Sequence, residues 1–193
     1  LFNGIRDGVE KGLAEAFNLI ITHLPTYRNY IVARRQVLDI LNKPIIVDVQ
    51  PNIMFLRVDD PDKAVEAFRR TLEDKDTPIL RVIPVDKVVE PYVEEVAEWV
   101  KRIFYEKCSE NSSFAIRMDG HLYSRDPEKE KGWLPRDEAI KIIASQIDNP
   151  VNLSDPQCLV YIKIVQLYGY TELASLTIGP PSRILSIAKM KGY

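Results

Sequence analysis

The chain has 193 residues, 46% apolar and 28% charged, with 26 Lys and Arg against 28 Asp and Glu for a formal charge of −2. That balance excludes disordered, collagenous and simple polybasic classes, and the length allows one large domain or two small ones. No run reaches the ~20 apolar residues that span a bilayer, and residues 1–10 lack a charged segment followed by an apolar one, so a soluble, cytoplasmic protein is expected.

The apolar run around Leu19, Ile20 and Ile21, within Phe17 to His23, is long enough for a strand and too short for a helix. From Tyr27 the residues Tyr30, Ala33, Val37, Ile40 and Leu41 fall at helical spacing, with Arg28, Arg35, Asp39 and Asn42 opposite. That helix is expected to stop near Lys43, before Pro44. Two β-rich runs, Pro44 to Val49 and Asn52 to Val58, read as a hairpin about Gln50 and Pro51. Asp60 followed by Pro61 is an N-cap with proline in the first turn, and Ala64, Val65, Phe68 and Leu72 make the apolar face behind it. A strand over Ile79 to Val85 completes the order βαββαβ, the ferredoxin-like arrangement.

A second unit begins after it. Pro91 opens a helix with an apolar stripe of Val93, Val96, Ala97, Val100, Ile103 and Phe104, ending near Cys108. A strand over Phe114 to Met118 leads into a long polar segment, Asp119 to Leu134, and a helix with Ile140, Ile143, Ala144 and Ile147 on one face follows Pro135. The runs Cys158 to Leu167 and Thr171 to Ile178 flank the turn Tyr168, Gly169, Tyr170 as a second hairpin, and Ile184, Leu185, Ile187 and Ala188 suit a short closing helix. The expected α+β organisation is therefore two domains, residues 1–88 and residues 89–193, the second carrying a short C-terminal tail.

Cys108 and Cys158 stand apart without a CxxC or a nearby His, so no metal site is expected, and two thiols in a reducing compartment are. With eight glycines the chain has no GxxxxGK[ST] loop, no GxGxxG and no GxSxG, and no cofactor or catalytic residue is assigned. His23 ends a strand and reads as structural. His121 lies beside Tyr123 and Arg125 in the polar segment, where an exposed loop histidine and a stacking or phosphate contact are both open readings. Trp133, Tyr168 and Tyr170 border loops, where they either complete a core edge or stack on unpaired bases.

Neither half of the chain is basic: residues 1–88 carry 13 basic and 13 acidic side chains, and residues 89–193 carry 13 and 15. Cations nonetheless cluster. Arg34 and Arg35 lie in the first helix, Arg117, Arg125, Lys129, Lys131 and Arg136 around the polar segment, and Arg183 and Lys189 in the tail. Each cluster is either a solvated face or part of a surface that neutralises a phosphate backbone. The acidic start of the Pro91 helix, Glu94, Glu95 and Glu98, cancels them in the net charge.

Six blocks carry a resemblance: LRVIPVDKVVEP from Leu80, SFAIR from Ser113, PRDEAIKIIASQID from Pro135, NPVNLSDP from Asn149, CLVYIKIVQLYGYTELASL from Cys158, and RILSIAKMK from Arg183. In this order they resemble a THUMP domain, which is typically preceded by a ferredoxin-like domain. The opening and ending blocks look most like the small THUMP adaptors of tRNA cytidine acetyltransferase. The resemblance implies tRNA binding at the acceptor stem and single-stranded 3′ end. It further implies no catalysis by this chain and a partner acetyltransferase that makes N-acetylcytidine, with 193 residues taken up by two binding domains. Arg117 matches a basic strand position of the family, and Pro135, Arg136 and Asp137 occupy its Ser-Arg-Glu helix start, with proline removing the side-chain cap. Asn152 stands where an Asp is common and reads as structural. A stand-alone RNA-modifying enzyme using His121, an RNA-binding subunit of another modification system, and a protein-interaction or metabolite-sensing module remain as alternatives.

Overall fold

The computed structural model describes residues 16–126 and 132–192, which fall into two units. One comprises residues 16–85 together with 182–192, and the other residues 86–181.

The first unit has β1 (Leu19–His23), α1 (Tyr27–Ile40), β2 (Ile45–Gln50), β3 (Ile53–Arg57), α2 (Pro61–Leu72) and β4 (Ile79–Pro84). Its sheet order β2-β3-β1-β4, all antiparallel, is the ferredoxin-like arrangement. Alternation in the strands aims Leu19, Ile21, Met54, Leu56 and Val82 into a core that the helices close with Ala33, Val37, Ala64, Val65, Phe68 and Leu72. Burying a side chain such as Phe68, fully sequestered, contributes about 2–3 kcal/mol. The Asp60 carboxylate accepts from the Lys63 amide at 3.0 Å and Pro61 opens the first turn, so α2 starts where its sequence directs.

The tail departs from its expected place in the second domain. Its residues Leu185–Ser186 form β9, which pairs with Val82 and Arg81 on the outer edge of β4, and Ile187–Met190 form α5. Burial fixes this return: Leu185 and Ile187 join the core of the first unit, and Arg183 grips Asp62 of α2 through two bonds of 2.6 and 2.9 Å. The middle of the β4 edge, at Arg81 and Val82, is thereby paired rather than left open.

The second unit has β5 (Lys87–Val89), α3 (Val93–Lys107), β6 (Phe114–Asp119), α4 (Arg136–Ala144), β7 (Cys158–Leu167) and β8 (Thr171–Gly179). The sheet order is β5-β8-β7-β6, with β6 and β7 parallel across the α4 connection and the other pairs antiparallel. Val96, Val100, Phe104, Ala139 and Ile143 pack from the helices onto Phe114, Ile116, Val160, Ile162, Leu176 and Ile178 of the sheet. Asp86 anchors the first strand: its amide donates to Leu176, its carboxylate accepts from the Ile178 amide at 2.8 Å, and Lys107 pairs with it at 2.6 Å. The buried Asn149 amide donates to the carbonyls of Ser109, Glu110 and Ser112, and so closes the polar loop after α3. Asn152 is structural, its side chain accepting from the Ser154 and Asp155 amides.

The two cysteines are not thiols. Cys108 follows the last turn of α3 and Cys158 begins β7, and the Cys158 amide donates to Ser113, which draws the two ends together. With their Cα atoms 6.2 Å apart, inside the range a disulfide spans, Cys108 and Cys158 are bonded. The expectation of free thiols rested on spacing and compartment, and spacing does not report this adjacency.

Candidate nucleic-acid interface

β6 is an edge strand whose Phe114, Ile116 and Met118 point into the core, so the intervening Arg117 emerges on the other face. It is exposed and has no ion-pair partner among the described residues. Arg136 is the first residue of α4 and likewise exposed. Pro135 at the N-cap makes no side-chain cap bond, and only the amides of Glu138 and Ala139 return to its carbonyl. The amides of Arg136 and Asp137 therefore remain available to an anion, while Asp137 and Glu138 in the same turn offset part of the attraction.

The segment between β6 and α4 is pinned into a small ladder. Tyr123 exchanges backbone bonds with Pro91 and Val93, and the Leu134 amide donates to Leu122. Tyr123 thereby sits across from Trp133, and the His121 ring meets Trp133 edge-on at 5.6 Å between centroids. With Gly120, Ile164 and Glu172 these rings line an open cleft of about 460 Å³. Gly120 lies at φ +108°, and a Cβ there would stand 2.6 Å from that of Ile164, so glycine is required where β6 runs close to β7. The Tyr123 hydroxyl donates to Glu172 at 3.0 Å. This bond, then the carboxylate charge and partial burial, hold the phenol above its ordinary 10.0.

Other cations from the sequence are engaged. The Arg125 guanidinium contacts Glu90 at 2.7 Å and Glu95 at 3.2 Å and lies 4.4 Å from the Tyr92 ring centre. Its amide and the Ser124 hydroxyl both donate to Glu94. These contacts hold the polar segment against α3, and a phosphate would have to displace two carboxylates to reach Arg125. Arg183 is committed to Asp62, its side chain only 13% exposed. Lys129 and Lys131 lie outside the described residues. Arg34, Arg35 and Lys189 are exposed in the first unit, without ion-pair partners among the described residues.

His23 is buried as a strand-end residue: Nδ1 bonds the Leu24 carbonyl at 2.8 Å and Nε2 has no partner. Tyr168 and Tyr170 are exposed on the tip of the β7–β8 hairpin, just beyond the cleft-lining pair Gln166 and Glu172, and do not themselves line the cleft. Sequence position linked Trp133 with those tyrosines; the ladder joins it to His121 and Tyr123 instead. Among the described residues no group of three His, Cys, Asp or Glu is placed to hold a metal, and no helix is long and apolar enough to cross a membrane.

No family model and no curated protein matches the chain. Solved structures do. PH1313 from Pyrococcus horikoshii Ot3 aligns with a TM-score of 0.54 at 15% identity, over 84% of this chain and 54% of that one. A 4-thiouridine synthetase, solved as an RNA complex with bound ATP, aligns with a TM-score of 0.53 at 11% identity, over 85% of this chain and 42% of that one. The fold is thus the THUMP-like α+β arrangement, and the chain spans about half the length of the proteins it matches.

Proposed function

We propose that this protein binds tRNA for modification, and that it acts as a non-catalytic adaptor which presents tRNA to a cytidine acetyltransferase making N-acetylcytidine. The observation that carries RNA binding is that Arg117 on β6 and Arg136 at the start of α4, before and after the segment that carries His121, Tyr123 and Trp133, are exposed and without ion-pair partners among the described residues. Arg136 adds a guanidinium to the free amides of an uncapped helix start, a combination suited to a phosphate oxygen. Likeness in fold to a synthetase solved with RNA supports the same use of this unit. The adaptor reading rests on the sequence resemblance at Leu80 to Pro91 and Arg183 to Lys191.

The net charge of −2 suits weak binding made productive by a partner. The test is acetylation of tRNA by a candidate acetyltransferase with and without this protein. The adaptor reading expects a large rise in yield when it is added, lost with Arg117→Ala plus Arg136→Ala. Equal yields with and without the protein would refute it.

A further inference from the structure

We infer that the cleft between Gly120 and Trp133 takes an unpaired nucleobase carrying an exocyclic amine. This rests on the RNA-binding reading and deepens it. Three observations carry it. Trp133 is half exposed, an unusual cost for so large a ring unless something covers it, and it is held by the backbone ladder rather than by core packing. Its ring and that of His121 present a flat aromatic corner, while Ile164 closes the opposite side, so a planar ligand has faces to stack on. The volume, about 460 Å³, lies within the range of small-ligand sites.

The polar end defines the ligand's chemistry. Oε2 of Glu172 accepts from the Tyr123 hydroxyl, which leaves Oε1 as a further acceptor in the lining of the cleft. A carboxylate there repels phosphate and accepts N–H, so the base enters and its phosphates stay outside. The amino groups of adenine, cytosine and guanine satisfy Oε1; uracil offers one ring N–H and two carbonyls that the carboxylate disfavours. Arg117 and Arg136 lie in sequence before and after the segment that carries His121, Tyr123 and Trp133 and are left to phosphates elsewhere along the RNA chain.

The test uses short oligoadenylate, oligocytidylate and oligouridylate, alongside intact tRNA, followed by tryptophan fluorescence. Trp99, whose ring is contacted by Lys87 and Arg102, supplies the second tryptophan signal, which the Trp133→Ala variant reports alone. Oligoadenylate and oligocytidylate are expected to quench Trp133 and to bind more tightly than oligouridylate. Trp133→Ala should weaken them about 5- to 150-fold with an unchanged salt slope, Trp133→Phe should restore most of the loss, and Glu172→Gln should narrow the preference over uridylate. If Trp133→Ala binds RNA like the wild type while Arg117→Ala plus Arg136→Ala binds weakly, the RNA reading stands and the cleft assignment falls. If the wild type binds no RNA, both fall. Quenching by oligoarginine and not by RNA would overturn the nucleobase in favour of a cationic peptide.

Discussion

Replacing both Cys108 and Cys158 by Ser is the perturbation with the clearest expected magnitude. The bond closes a loop with a sequence separation of 50, and the chain-entropy relation for a loop of that length gives roughly 4 kcal/mol of stabilisation. The loop runs from the end of α3 to the start of β7 and contains all of β6 and α4, with the core residues Phe114, Ile116, Met118, Ala139 and Ile143, so its release loosens that stretch of the unfolded chain. Cys158 is buried against this core, and a serine hydroxyl there adds to the loss. Urea unfolding of the oxidised protein, the reduced protein and the double variant measures the effect. Oxidised protein should be the most stable, and the reduced protein should approach the variant. Two titratable thiols in the native, unreduced protein, or coincident unfolding curves for all three, would refute the crosslink.

Gly120→Ala should destabilise the second unit by roughly 2–4 kcal/mol, since it combines a left-handed φ with overlap on Ile164; Gly192→Ala, at φ +77° with open space around it, should cost much less by the same unfolding assay. Arg183→Ala should cost about 1 kcal/mol and expose the tail to protease, read as earlier cleavage near the C-terminus. The Tyr123 bond to Glu172 raises the folded-state pKa above the ordinary value. Its contribution is therefore complete below about pH 10 and lost as pH rises through the folded-state value, a decline that Tyr123→Phe should remove from alkaline unfolding curves. Asp60 shows the opposite sign: capping the Lys63 amide lowers its pKa, so its stabilisation of α2 is present above about pH 4 and fades in acid, absent in Asp60→Ala.

Elements with strong periodicity were legible from sequence. α1, α2, α3 and both hairpins follow their apolar spacing closely, and α2 its Asp60 cap as well, because each buries one continuous face. β5 and β9 were not, since strands of three and two residues carry no measurable alternation and exist only through the edges they pair with. The site was legible in part. Residue type singled out Arg117, Arg136, His121, Tyr123 and Trp133, but the pairing of Trp133 with Tyr123 depends on a ladder closed around residues 122–134. The acids that engage Arg125, Glu90 just before α3 and Glu95 in its first turn, lie 30 to 35 positions away, and their place in the sequence gave no sign of their partner.

The central claim is that this fold presents Arg117 and Arg136 to RNA, and salt-titrated binding of intact tRNA tests it most directly. The account predicts binding whose log affinity falls linearly with log salt, with the slope reduced by about 1.4–1.8 in Arg117→Ala plus Arg136→Ala, two phosphate contacts at 0.7–0.9 each. Binding that is insensitive to salt, or identical in the double variant, would contradict it.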